Sequence, residues 1–330
     1  MLVIIIGVIR AKAIALLLGP AGIGIIGIYQ SIVDMIRASC GLGLDTGGVR
    51  EVAAANSLED KTLLGKTIYR LNWWFLVAAF IGLTACIALC RPISIWAFGT
   101  SEYILSIVLL SIPVFLAILT TGRSVIIQGL RKVSYMAQYE VWGSLVGLLV
   151  ALPLYYFLGL KGIVLAFITT SLILYFFVEF YYKKLNLRLS KTPRKEVLEA
   201  GLSTLKLGVF IVISGVISTA SMFLVRAYIV RSIDVEAAGL FQSAWTITTV
   251  YLGLVLKSMG ADFFPRLSAI AENKTGITKL VNEQTYVVLV ISVPVIIIML
   301  FFQSSPYRYY ILLNSQMPKI YFNGRFWEAF

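Results

Sequence analysis

The stretch GIGIIGIYQSIVDMIRASCGLGL, Gly22–Leu44, decides the fold. It is long enough and apolar enough to cross a hydrocarbon layer of about 30 Å, which takes roughly 20 residues of helix. Yet it carries Gln30, Asp34, Arg37 and Gly41, at i, i+4, i+7 and i+11, on one helical face. A charge near the middle of such a run costs about 2.5–3.5 kcal/mol on insertion scales. A face of this kind turns toward a wet cavity or another helix, never toward lipid.

The whole chain has the same character. It is 330 residues long, 59% hydrophobic and 13% charged, with a mean hydropathy of +0.90. Soluble domains carry about 25% charged residues, so these proportions exclude a soluble globular protein, a disordered chain, a coiled coil and collagen. The three cysteines, Cys40, Cys86 and Cys90, are odd in number and lie in apolar runs, so no disulfide framework is implied. There is no histidine, which removes Ser-His-Asp and Cys-His catalysis and histidine-ligated metals.

Working outward, nine apolar runs read as spans: Leu2–Leu18, Gly22–Leu44, Trp73–Cys90, Tyr103–Gly122, Tyr139–Leu158, Gly162–Tyr182, Leu207–Val230, Ala237–Met259 and Thr285–Phe302. Short loops between repeated runs favour an all-α, polytopic helical bundle, and the period-2 alternation of a membrane β-barrel is not visible. Lys and Arg concentrate in the loops after the second, fourth, sixth and eighth runs, eighteen against six on the other side. The positive-inside rule then places those loops and the N-terminus in the cytoplasm. It also accounts for the net charge of +12 without a nucleic-acid partner.

Gly27-Ile28-Tyr29-Gln30-Ser31 recurs as Gly239-Leu240-Phe241-Gln242-Ser243, and Arg50, Ala53 and Ala55 recur as Arg266, Ala269 and Ala271. Six spans separate the copies, so both keep one orientation, as in parallel transporter repeats. The expected organisation is a six-helix lobe over 1–182, an inter-lobe linker over 183–206 and a partial three-helix lobe over 207–302. An atypical polar and aromatic tail over 303–330 reads either as a short amphipathic C-terminus or as a frameshifted or truncated end. In the second copy the polar stripe becomes Gln242, Thr246, Thr249 and Gly253, uncharged. Two readings stand side by side. In one, Gln30, Asp34, Arg37, Gln242, Thr246 and Thr249 line a central substrate cavity, with Arg226 at its rim. In the other, Asp34 and Arg37 neutralise one another and the amides and hydroxyls bond neighbouring helices. Ser214, Ser218 and Ser221 share a face of the seventh span and divide the same way.

Several motifs are similar to those of the oligosaccharide (O-antigen-type) flippases of the multidrug/oligosaccharidyl-lipid/polysaccharide exporter superfamily. They include Leu18-Gly19-Pro20-Ala21-Gly22-Ile23-Gly24, Gly48-Val49-Arg50-Glu51-Val52-Ala53 and Arg91-Pro92-Ile93-Ser94. Gln128-Gly129-Leu130-Arg131-Lys132, Gly260-Ala261-Asp262-Phe263-Phe264-Pro265-Arg266-Leu267 and Val281-Asn282-Glu283-Gln284 continue the match over roughly residues 10 to 302. The resemblance implies a multi-pass protein of the bacterial cytoplasmic membrane without a cofactor. Its substrate would be an undecaprenyl-diphosphate-linked oligosaccharide, moved between leaflets by alternating access. Membrane lipids and other glycan-assembly membrane proteins are the implied partners. Multidrug efflux by the same fold and an inactive truncated remnant are the alternatives. A membrane glycosyltransferase or polymerase fits less well, because no Asp-x-Asp pair and no large loop is present.

Overall fold

The computed structural model describes residues 2–246 apart from 42, 59, 188–189 and 191–193, together with 249, 278, 280–290, 293–294 and 297. Side chains are described for all of these except residue 4 and residues 194–211. Every regular element among the described residues is helical. In order they are α1 (Leu2–Cys40), α2 (Leu44–Ser57), α3 (Lys61–Ala88), α4 (Cys90–Phe98), α5 (Ile104–Gly129), α6 (Val133–Leu158), α7 (Gly162–Lys183) and α8 (Arg194–Ser232). A single 3₁₀ turn, Gly159–Lys161, joins α6 to α7, and a further helix, α9, begins at 235 and is described to 246. Residues 1–245 form one compact unit and 246–330 a second, in which 280–290 are helical.

The first two apolar runs of the sequence form one helical stretch broken at Gly19, whose φ of 65° and ψ of −170° are not helical. Only glycine takes that φ without strain. Pro20 then supplies the fixed φ that suits the first position of the next helical segment. Elsewhere the apolar runs and the helices agree, with shifted ends. Helix α3 begins twelve residues before the apolar run at Trp73, and α8 takes in the second half of the segment read as a linker. Two helices have no counterpart among the runs. Helix α2 is amphipathic, burying Leu44, Gly48, Val52 and Ala55, and α4 is a two-turn piece ended by left-handed Gly99. Half of the ninth run lies outside the described residues, as do most of the second half of the eighth, Arg266 and its neighbours, and the tail over 303–330.

The interior of the first unit is mainly aliphatic, with a minority of buried rings such as Tyr29, Phe75 and Phe167. Ile28, Ile32, Ile68, Leu71, Ile107, Leu110, Ile118 and Ile126 are completely buried among α1, α3 and α5. Helix α5 packs on α2, α3 and α7, α6 packs on α7, and α1 crosses α6 and α8. The outer faces are just as apolar: Leu16, Tyr156, Phe157 and Phe176 are largely exposed. An aqueous surface does not carry contiguous apolar area of this extent. Helices α1, α3, α5 and α8 and the α6–α7 stretch are each long and apolar enough to cross a membrane. The outer faces are therefore lipid-facing, and the chain is a multi-pass membrane protein.

Outside the apolar region, Asp60 caps α3. Its Oδ1 accepts from the Thr62 hydroxyl at 2.6 Å, from the Thr62 N–H at 2.8 Å and from the Leu63 N–H at 3.2 Å. The Thr62 hydroxyl first, then these two N–H groups, hold the carboxyl below its ordinary range. The cap therefore contributes fully above the unfolded carboxylate value and is lost only as pH falls through the lower folded one. Asp60→Ala is expected to fray the first turn of α3 at neutral pH. Hydrogen exchange at the amides of 62 and 63 checks this: wild type should match the variant only in the acidic window.

Candidate functional site

Four turns along one side of α1 meet α8 and α9. At the first, backbone touches backbone. A Cβ placed on Gly24 would lie 2.2 Å from the Val235 carbonyl oxygen, and one on Gly239 would lie 1.9 Å from the Pro20 carbonyl oxygen. One turn further, the Gln242 side chain covers Gly27, with Cγ 3.0 Å from where a Cβ would stand. The two copies of the Gly-x-x-Gln-Ser repeat are thus in direct contact within the first unit, shifted by one helical turn.

At the next turn Ser31, itself buried, donates its hydroxyl to the Gly27 carbonyl at 2.8 Å and accepts from Nη1 of Arg226 on α8. Arg226 is 7% exposed, and its Nε has no hydrogen-bond partner among the described residues. Its electrostatic partner is Asp34, the last position of the ladder. Asp34 Oδ2 accepts from Gln30 Nε2 at 3.0 Å, and Oδ1 stands 3.6 Å from Arg37 Nη2. The Arg37 side chain is 47% exposed and that of Asp34 33%.

The polar stripe read from the sequence therefore divides. Gln30 and Arg37 are exposed, Asp34 sits at the margin, and the buried contact face runs one residue to the side through Gly24, Gly27 and Ser31. Gln242 packs against α1 rather than standing across from it. Arg226 is embedded between α1 and α8, deeper than a rim position. Thr246 and Thr249 are helical and belong to the second unit. Ser214, Ser218 and Ser221 all lie on an exposed face of α8.

Sequence reasoning did not single out Ser31, nor a second polar cluster in α3, α5 and α7. There Arg123 Nε donates to Glu179 Oε2 at 2.7 Å, Nη1 donates to Asn72 Oδ1, and Asn72 Nδ2 donates to the Tyr182 hydroxyl at 2.9 Å. Just past the end of the fourth apolar run, Arg123 reads from the sequence as a loop charge. The available signal was Glu179, an acid inside an apolar run, which requires a cation at the same depth. A third pair, Arg70 with Glu51, ties α3 to α2.

The bundle is similar to solved membrane transporters. A multidrug-resistance MATE-family transporter of the MOP superfamily, in an inward-facing conformation, superposes with a TM-score of 0.70 at 17% identity, over 89% of this chain and 69% of that one. A MATE crystallised in complex with Br-NRF gives a TM-score of 0.51 at 16% identity, over 88% and 76%. The fold is accordingly that of the MATE-like transporters. The model of a family described as "Polysaccharide biosynthesis protein" matches residues 13–311, and the chain belongs to that family. No curated protein matches it significantly.

Proposed function

We propose that the protein is a flippase that carries a prenyl-diphosphate-linked oligosaccharide across the bacterial cytoplasmic membrane by alternating access, with its N-terminus in the cytoplasm. The observation that carries this reading is the half-exposed Arg37 guanidinium, in the last turn of α1 and, among the described residues, paired only with Asp34 at 3.6 Å. From the end of a helix a guanidinium can reach water, and on this reading the side chain faces solvent. A diphosphate and its sugars lose their hydrogen bonds to water in hydrocarbon, and a guanidinium offers them a bidentate replacement. Asp34 orients Arg37 without satisfying its five N–H groups, so the anion has donors to claim. Buried Arg226 adds a fixed positive charge one helix away, while the prenyl tail stays in lipid. Membership of a polysaccharide biosynthesis family supports the substrate class.

Arg37→Ala is expected to abolish glycan export in cells that depend on this protein, at normal expression and membrane insertion. Undiminished surface glycan would remove Arg37 from the mechanism. The Asp34 carboxylate, one-third exposed, also suits a cationic substrate and so favours drug efflux as the second reading. Resistance to lipophilic cations that persists without any glycan pathway would select it.

A further inference from the structure

We propose that a cavity of about 320 Å³ between α3, α5 and α7 binds the headgroup of an anionic membrane phospholipid, at the end of the bundle that carries the Lys/Arg-rich loops. The site is separate from the transport reading and does not depend on it. Its lining combines Tyr69, Asn72 and Trp73 of α3, Leu119 and Arg123 of α5, and Tyr175 of α7. Arg123 lies six residues before the end of α5, about 9 Å along the axis at 1.5 Å per residue. That is the level at which headgroups and the amphipathic rings of Tyr and Trp meet.

The cation is already oriented there. Glu179 takes Nε, Asn72 takes one proton of Nη1, and the Tyr182 ring lies 4.3 Å beneath the guanidinium carbon. An arginine has five N–H donors. Three therefore remain without a protein partner among the described residues, on a side chain that lines the cavity. If the cluster served only to join helices, the Glu179 and Asn72 bonds would suffice and no cavity would be needed beside it.

Charge selects the ligand. Lys183 stands 4.0 Å from Glu179 and Lys184 lies over the Phe180 and Tyr181 rings, so positive charge exceeds the one carboxylate. A phosphodiester with net negative charge balances this surplus, and a zwitterionic headgroup does not. Above the cavity, exposed Leu76 and Phe80 on α3 and Leu172 and Phe176 on α7 offer apolar faces for the acyl chains.

The test uses the full chain in detergent, titrated with phosphatidylglycerol, phosphatidylcholine or inorganic phosphate and read by native mass spectrometry and thermal shift. Phosphatidylglycerol is expected to bind about tenfold or more tighter than phosphatidylcholine. Arg123→Lys keeps a charge for Glu179 but not the planar fork, and is expected to lose about tenfold of that preference. Leu119→Trp, which fills the cavity and leaves the Arg123 bonds in place, should lose it as well. Equal binding of the two lipids, an unchanged preference in both variants, or displacement of phosphatidylglycerol by millimolar inorganic phosphate would each overturn the proposal.

Discussion

Gly239→Ala is expected to lower transport by roughly tenfold to a hundredfold in a protein that still inserts and can be purified. The added methyl would lie 1.9 Å from the Pro20 carbonyl oxygen, 2.7 Å from the Pro20 carbonyl carbon and 3.0 Å from the Gly24 nitrogen. All three are backbone atoms and a methyl has no alternative rotamer, so α9 must move away from α1. Overpacking of this kind costs about 1–3 kcal/mol, and each 1.4 kcal/mol is a factor of ten between two packings of one element. Gly24→Ala meets the Val235 carbonyl oxygen at 2.2 Å and should behave alike. Gly215→Ala is the control: nothing stands within 4 Å of its Cβ, and helix propensity favours alanine. Transport rates and melting temperatures of the three variants check the argument. A Gly239→Ala protein indistinguishable from Gly215→Ala would mean that the crossing does not limit the cycle.

Ser31→Ala carries the second large effect, out of proportion to the atom removed. Its hydroxyl is the one hydrogen-bond acceptor that the described residues give Arg226, whose Nε is already unmatched. Leaving a buried charged donor without its acceptor costs about 1.5–3 kcal/mol. Removing the charge together with its acceptor need not cost as much, since an apolar pair of similar volume is often neutral. The double variant Ser31→Ala/Arg226→Met is therefore expected to regain much of the stability lost by Ser31→Ala, as read by thermal unfolding in detergent. Its transport should remain low if the Arg226 charge contributes to holding the substrate. Full activity in the double variant would reduce Arg226 to packing.

The apolar runs made most of the helices legible, because hydrocarbon allows only one way to satisfy a lone segment's backbone. What composition concealed was amphipathic: α2 and α4 bury one face only and add no long apolar run. Asp34 and Arg37 stand out in the sequence because charges inside an apolar run are rare, although the structure puts Arg37 in the last turn of α1. Ser31 does not, since a hydroxyl in a helix can always bond its own preceding carbonyl, and nothing local announces a partner on α8. The repeat showed that Gly27 and Gly239 correspond. It could not show that the copies touch one turn out of register, because Gly24, not Gly27, faces Gly239. Arg123 reads as a loop residue for a related reason: α5 continues to Gly129, beyond the end of the apolar run at Gly122.

Arg226 and Ser31 are 195 residues apart in the chain. A ribosome at about 5–20 residues per second needs some ten to forty seconds to make that interval. Helix α1 must wait through it with an unclaimed hydroxyl face, and α8 arrives bearing a guanidinium that bare lipid rejects by about 2.5–3.5 kcal/mol. Biogenesis then favours a lateral exit in which α8 leaves the insertion machinery straight onto α1, before it samples the bilayer alone.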